Sequence, residues 1–195
     1  MLRIAVISVA LSWLTGLHPP AVAGAEYTLV PGESEVGFRV KFLFGTARGR
    51  FDIFSAGAVV ENGILLAAHA VIECKSIDTF NTIRDRHLRS EHFFSCEAHP
   101  LLRFVSTRVT PRGGGRYALR GKLTMRGITH EIELEGELSK TEQGLGYAFQ
   151  AEGTVNRGDW EITWMKNRRG RNLLIRDRIE IKIEGELEPA DTATG

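Results

Sequence analysis

Arg84, Asp85 and His87 lie within one short stretch, and a carboxylate beside an imidazole is the pairing that moves protons in acid–base catalysis. Ser90, Ser95 and Ser106 are nearby hydroxyls, but no Gly-x-Ser-x-Gly turn exists to present one as a nucleophile. Asp85 and His87 are therefore acid–base candidates in search of a reacting partner. The same charged residues could instead tie a helix to its surroundings, and that structural role suits them better. His87, His92 and His99 match no zinc spacing, and no His-Glu-x-x-His occurs. The run from Arg112 through Gly113, Gly114 and Gly115 to Arg116 reads as a hairpin tip, since neither a Gly-x-Gly-x-x-Gly nor a phosphate loop is present. No cofactor is required by any of these residues. Cys74 and Cys96 could form a disulfide, closing a loop whose entropic stabilisation would be about 3 kcal/mol, or could remain as two thiols.

The elements around these residues speak more plainly. Ile132, Leu134, Gly136 and Leu138 alternate with Glu131, Glu133, Glu135 and Glu137. Ile179, Ile181, Ile183, Gly185 and Leu187 alternate with Arg178, Glu180, Lys182, Glu184 and Glu186. Tyr147, Phe149, Ala151, Gly153 and Val155 repeat the pattern, and Val36, Phe38, Val40 and Phe42 do so without a glycine. A period of two gives strands with one dry and one wet face. A sheet that is apolar on one side must cover that side or roll up around it. Glycines on the dry face predict sharp bends or unfilled volume.

The chain has 195 residues, one domain's worth, preceded by what reads as a removable leader. Arg3 gives a positive start, residues 4–17 are apolar but short for a membrane span, and Ala21, Ala23 and Ala25 offer small-x-small cleavage sites. A signal peptide over 1–25 predicts a periplasmic or secreted product. Losing Arg3 leaves 24 Lys and Arg against 24 Asp and Glu. Such neutrality, spread over strand faces, argues against nucleic acid as a partner. About 170 residues remain, enough for a core.

Strands are predicted at 27–30, 34–42, 46–54, 58–61, 64–77, 101–110, 117–125, 128–139, 144–155, 160–165 and 173–187. Asn62-Gly63 between apolar runs is a strong hairpin signal. On the strand ending at Ile77, Ala68 and Ala70 share a face with Ile72 and Cys74, which suggests a face left partly unfilled. Residues 79–94 have helical spacing, with Asp78 or Thr79 as cap and Ile83 and Leu88 as apolar contacts. Residues 166–171 form one basic loop, either simply solvated or touching anionic headgroups, and 189–195 reads as a loose tail. These elements predict an all-β fold: an antiparallel up-and-down barrel of eight strands with a short helical insert. A β-sandwich is the competing fold.

Several blocks then resemble the YceI-like family. They are Tyr27-Thr28-Leu29-Val30-Pro31, the strand through Val36, Phe38 and Val40, Gly49-Arg50-Phe51, and Ser76-Ile77-Asp78-Thr79. Further on come Arg84-Asp85-x-His87-Leu88, Phe93-Phe94, His99-Pro100 with Phe104 and Ser106, and Gly121-x-Leu123-Thr124-Met125-x-Gly127-Ile128-Thr129. The resemblance implies a lipocalin-like barrel over 26–188 that binds polyisoprenoid lipids without catalysis. Two departures stand out. Cys96 occupies a position more often Asp, and Arg157-Gly158-Asp159-Trp160-Glu161 replaces Arg-x-Asp-Phe-Gly.

The candidate lining is apolar. Phe38, Val40, Phe42, Phe51 and Ile72 come from the first half of the chain. Phe104, Leu123, Ile132, Phe149, Trp160 and Ile181 come from the second. Each buried methylene is worth about 0.8 kcal/mol, while immobilising a ligand costs several kcal/mol. A long isoprenoid, either a polyprenyl lipid or an isoprenoid quinone, therefore suits such a tunnel better than a small hydrophobe. The leading expectation is a carrier that transports, stores or sequesters this lipid. The alternative is an enzyme acting on it through Asp85 and His87. A transient membrane contact and a homodimer are both compatible with the sequence.

Overall fold

The computed structural model describes residues 23–142, 146–164 and 174–190. Most of the expected leader, the basic loop 166–171 and the end of the tail lie outside these residues.

The strands are β1 (Ala25–Leu29), β2 (Glu35–Phe42), β3 (Gly45–Phe51), β4 (Phe54–Glu61), β5 (Ile64–Glu73), β6 (Ile77–Asp78), β7 (Leu101–Gly113), β8 (Arg116–Met125), β9 (Ile128–Lys140), β10 (Tyr147–Asn156) and β11 (Ile175–Pro189). All eleven belong to one antiparallel sheet. Eight of them, β1, β4, β5, β7, β8, β9, β10 and β11, close into a ring. A sandwich is excluded, because the sheet's dry face meets itself.

The closure is split along the length of β11. Near its C-terminus β11 pairs with β1, Leu187 opposite Leu29 and Pro189 opposite Tyr27. Nearer its N-terminus it pairs with β2, Ile183 opposite Val36 and Ile175 opposite Phe42. From there β3 and β6 extend the wall. One end of the barrel is thus sealed by β1, while the other is walled by the β2–β3 hairpin. The strand is ordered through Pro189, and Ala190 donates to the Glu26 carbonyl at 2.8 Å.

Local chemistry explains the turns. Asn62 (φ 51°) and Gly63 (φ 79°) both sit in the left-handed region that a two-residue hairpin of this twist requires. The run 64–77 breaks at a 3-10 turn, Cys74–Ser76. The helix, α1 (Thr82–Arg89), is shorter than its sequence spacing suggests, and Asn81 caps it rather than Asp78 or Thr79. The Asn81 carboxamide oxygen accepts from Arg84 N–H at 3.0 Å. Asp78 instead accepts from Phe80 N–H at 2.7 Å, and Thr79 is engaged by Asp85. Ser90 closes the helix by donating its N–H and its hydroxyl to the His87 carbonyl.

Over 160–164, the described part of the strand expected at 160–165, no strand forms. Arg157–Trp160 is a 3-10 turn, and Glu161 follows in the left-handed conformation. The cause is Arg157, whose guanidinium is almost fully buried. Its Nη1 donates to the carbonyls of Ile162 (3.0 Å) and Trp164 (2.8 Å), which a ladder would otherwise have used.

Candidate functional site

The barrel encloses a cavity of about 660 Å³. This falls within the usual range for a ligand pocket. Its wall is almost entirely apolar side chain from the dry faces of the strands. The room comes chiefly from alanines. Ala56 faces Ala70 across β4 and β5, and Ala58 faces Ala68, and all four border the cavity.

The glycines act differently from expectation. A Cβ placed on Gly136 would lie 2.6 Å from Leu119, and one on Gly121 would lie 2.5 Å from the Phe104 ring. Leu134 covers Gly153 and Ser34 covers Gly185 in the same manner. These glycines leave no void of their own. At Gly136, Gly121 and Gly153 they let Leu119, Phe104 and Leu134 lie close against the backbone of the wall that borders the cavity.

Phe38, Val40, Phe42, Phe51 and Ile72 border the cavity, as do Phe104, Leu123, Ile132, Phe149 and Ile181. Trp160 does not. It is fully buried behind the wall, its indole N–H donating to the Ile128 carbonyl at 3.0 Å. Its place at the cavity is taken by Ile162 and Trp164. Alternation along 160–164 signalled an inward face but could not show that the backbone leaves the sheet there.

The two ends of the lumen differ. At the β1 end, Tyr27 and Tyr147 pack edge to face at 5.0 Å, and the Tyr117 hydroxyl accepts from Leu65 N–H at 3.3 Å. Leu65 and Leu138 complete a closed floor. At the other end, Phe42, Leu43, Phe44, Ile83 and Leu174 border the cavity while exposed to solvent. That end is a mouth. Ile83, expected to pack inward, is 78% exposed there, whereas Leu88 packs against the core.

Polar groups collect at the mouth. Thr79, Asn81, Arg84, His87 and Arg157 all border the cavity. The buried Asp85 carboxylate accepts from Thr79 N–H at 2.9 Å and also from the Thr79 hydroxyl. Arg84 donates through Nε to that hydroxyl at 2.8 Å and through Nη2 to the Thr79 carbonyl at 2.6 Å. Asp85 and Arg84 thus pin the start of α1 to the strand before it. His87 belongs to an aromatic cluster, 5.0 Å from Phe93 and 4.7 Å from Trp164 between ring centres. The hydrogen bonds that Asp85 makes go to Thr79 and not to His87. Burial pushes the Arg157 guanidinium down from its ordinary range, and Asp177, 3.2 Å away, pulls it back up. No group of three or more His, Cys, Asp or Glu side chains among the described residues converges to hold a metal.

Cys74 and Cys96 are bonded, their Cα atoms 5.3 Å apart. The bond staples the far end of the α1 segment to the barrel, while Arg126 holds the same segment by donating to the carbonyls of Glu91 and Phe93.

A model of the YceI-like domain matches residues 27–187. The chain belongs to this family, a class of lipocalin-like barrels. A UPF0312 protein of Photorhabdus laumondii is 30% identical over 155 residues, covering 75% of this chain and 80% of its own. One from Pectobacterium carotovorum is 33% identical over 135 residues, covering 66% of this chain and 70% of its own. Among solved structures, Burkholderia cenocepacia BcnA superposes with a TM-score of 0.73 at 20% identity, covering 82% of this chain and 98% of its own. A polyisoprenoid-binding domain from Saccharophagus degradans superposes with a TM-score of 0.63 at 14% identity, covering 85% and 99%. These two likenesses concern the fold.

Proposed function

We propose that this protein is an exported, non-enzymatic carrier that holds a long isoprenoid lipid, a polyprenyl lipid or an isoprenoid quinone, in its lumen. The observation that carries the reading is the 660 Å³ cavity, apolar along its walls, closed at one end and open at the other. A cavity of this form takes a slender hydrocarbon end-on and leaves its polar head among Thr79, Asn81, Arg84 and His87. Burying ten methylene equivalents would contribute roughly 8 kcal/mol before the cost of immobilisation. Micromolar affinity, about −8 kcal/mol net, therefore calls for a long chain. The name of the Saccharophagus neighbour supports the same ligand class. The engagement of Asp85 by Thr79, and of the His87 ring by Phe93 and Trp164, supports a role without covalent chemistry. A passing membrane contact is where such a lipid would be taken up or handed over, and a homodimer is compatible with this role.

Native mass spectrometry of the purified protein after mild organic extraction tests the reading. The expected result is a bound isoprenoid, or uptake of an offered quinone by the stripped protein. A folded protein that neither carries nor takes up either lipid would refute it.

A further inference from the structure

Eight large apolar side chains are exposed among the described residues, and five of them, Phe42, Leu43, Phe44, Ile83 and Leu174, surround the mouth. Single exposed apolar residues are ordinary, but a contiguous group marks an interface. Leu43 (63% exposed) and Phe44 (85% exposed) form the two-residue tip of the β2–β3 hairpin. Residues 41–46 are all exposed, so this tip stands clear of the barrel. It is also anchored, because Leu43 N–H donates to the Leu174 carbonyl at 2.9 Å.

Charge around the tip is one-sided. Between Glu35 and Asp52 the chain has Arg39, Lys41, Arg48 and Arg50 and no acid. α1 carries Arg84, Arg86 and Arg89 against one acid, the buried Asp85. Glu180 offsets part of this charge, 3.8 Å from Arg39 and 3.9 Å from Lys41, and Arg50 pairs with Asp52. Arg48 and Arg86 have no ion pair among the described residues. Asp159 and Glu161 lie on the 157–164 segment, and Asp177 is taken by Arg157.

We propose that this rim docks on an anionic bilayer, with Leu43 and Phe44 inserted and the mouth facing the lipid. The spacing fits. At about 3.3 Å per strand residue, Lys41 stands roughly 7 Å behind Leu43, and apolar faces of interfacial elements sink about 5–10 Å. The tip would then reach the acyl boundary while the hairpin's cations meet the headgroups. A lipid leaving the lumen would then pass from the mouth, where Phe42, Leu43, Phe44, Ile83 and Leu174 stand beside the polar groups, directly into the membrane. The docking rests on the reading that the lumen carries a lipid.

Sedimentation of the purified chain with vesicles tests it, using phosphatidylethanolamine with phosphatidylglycerol against phosphatidylcholine alone. Binding is expected to the anionic vesicles, to weaken with salt, and to be slight on the neutral ones. Phe44→Ser should lower binding at least about tenfold, the low end for removing one buried aromatic ring. The double variant Arg48→Glu/Arg86→Glu should abolish binding. Its uptake of quinone from solvent, without vesicles, should be unchanged, since neither residue borders the lumen. Phe44→Trp should shift its emission to the blue on anionic vesicles. No binding by the unaltered chain, equal binding by Phe44→Ser, or no blue shift would overturn the proposal. Docking without quinone uptake would leave it standing and sink the carrier reading instead.

Discussion

The two ends of this barrel are built on opposite rules. The closed floor, from Leu65 and Tyr117 to Tyr147, buries its large side chains and pairs their polar atoms. Its left-handed turn residues are Asn62 and glycines, which adopt that conformation readily. The mouth exposes its large apolar side chains and places Phe80, Ser95, Arg126 and Glu161 at positive φ. Backbone strain of this kind is held in place by surrounding contacts and gathers at functional sites. Here the holding contacts are the disulfide, the Arg157 bonds and the Arg84–Asp85–Thr79 network. The floor serves stability, and the mouth spends some of it on access.

Matched truncations should show this most strongly. Leu65→Ala at the floor should cost about 3 kcal/mol in urea unfolding, while Ile83→Ala at the mouth should stay within about 0.5 kcal/mol. Equal costs would erase the distinction between the ends. Replacing Cys74 and Cys96 by serine should lower stability by about 3 kcal/mol. Amide exchange should then rise across 79–99 while the floor keeps its protection, and a uniform rise would show that the staple serves the whole barrel. Filling the lumen with Ala70→Phe should weaken lipid uptake at least about tenfold, or about 1.4 kcal/mol, in a titration of the folded protein. Unchanged affinity would place the ligand elsewhere.

Glu161→Gly should stabilise by about 1 kcal/mol, because Glu161 sits at φ 58°, where a side chain costs about 1–2 kcal/mol that glycine avoids. Thermal unfolding would measure it, and a loss of stability would mean that the Glu161 side chain has a compensating contact. The smallest effect belongs to the wall between the ends. Burial holds the His69 imidazole below its ordinary pKa of 6.5. Below that pH the unfolded chain takes up a proton that the folded chain resists, so stability falls as pH drops. His69→Gln should flatten this slope in unfolding curves between pH 7.5 and 5.5, and an unaltered slope would assign it to other groups.

Much of this was legible in the residues themselves. Alternation named the dry faces, Asn62-Gly63 named its turn, and the alanines before Ile77 marked where the lumen is wide. The barrel follows from the same patterns, and the family was legible separately, in the residue blocks that resemble it. Trp160 was not legible, because its period-two spacing suits a strand equally well, and only the buried Arg157 draws the backbone away. The cap on α1 was hidden because Asp78, Thr79 and Asn81 are all able cap residues, and tertiary hydrogen bonds occupy the first two.

The order of apolar and polar residues determined that this chain forms strands with one dry face and that the faces curl around a common axis. Side-chain period and turn chemistry act between near neighbours, so they are written locally. Which end is plugged, which glycines are covered and which aromatic rings face solvent were decided only when distant strands met. Leu119 on Gly136 and Phe104 on Gly121 are contacts between paired strands that follow one another in the chain, whereas the Tyr27–Tyr147 pair joins β1 and β10 across β11 from opposite ends of the chain. Volume is shared among all the walls of a barrel, and no single stretch of chain contains it.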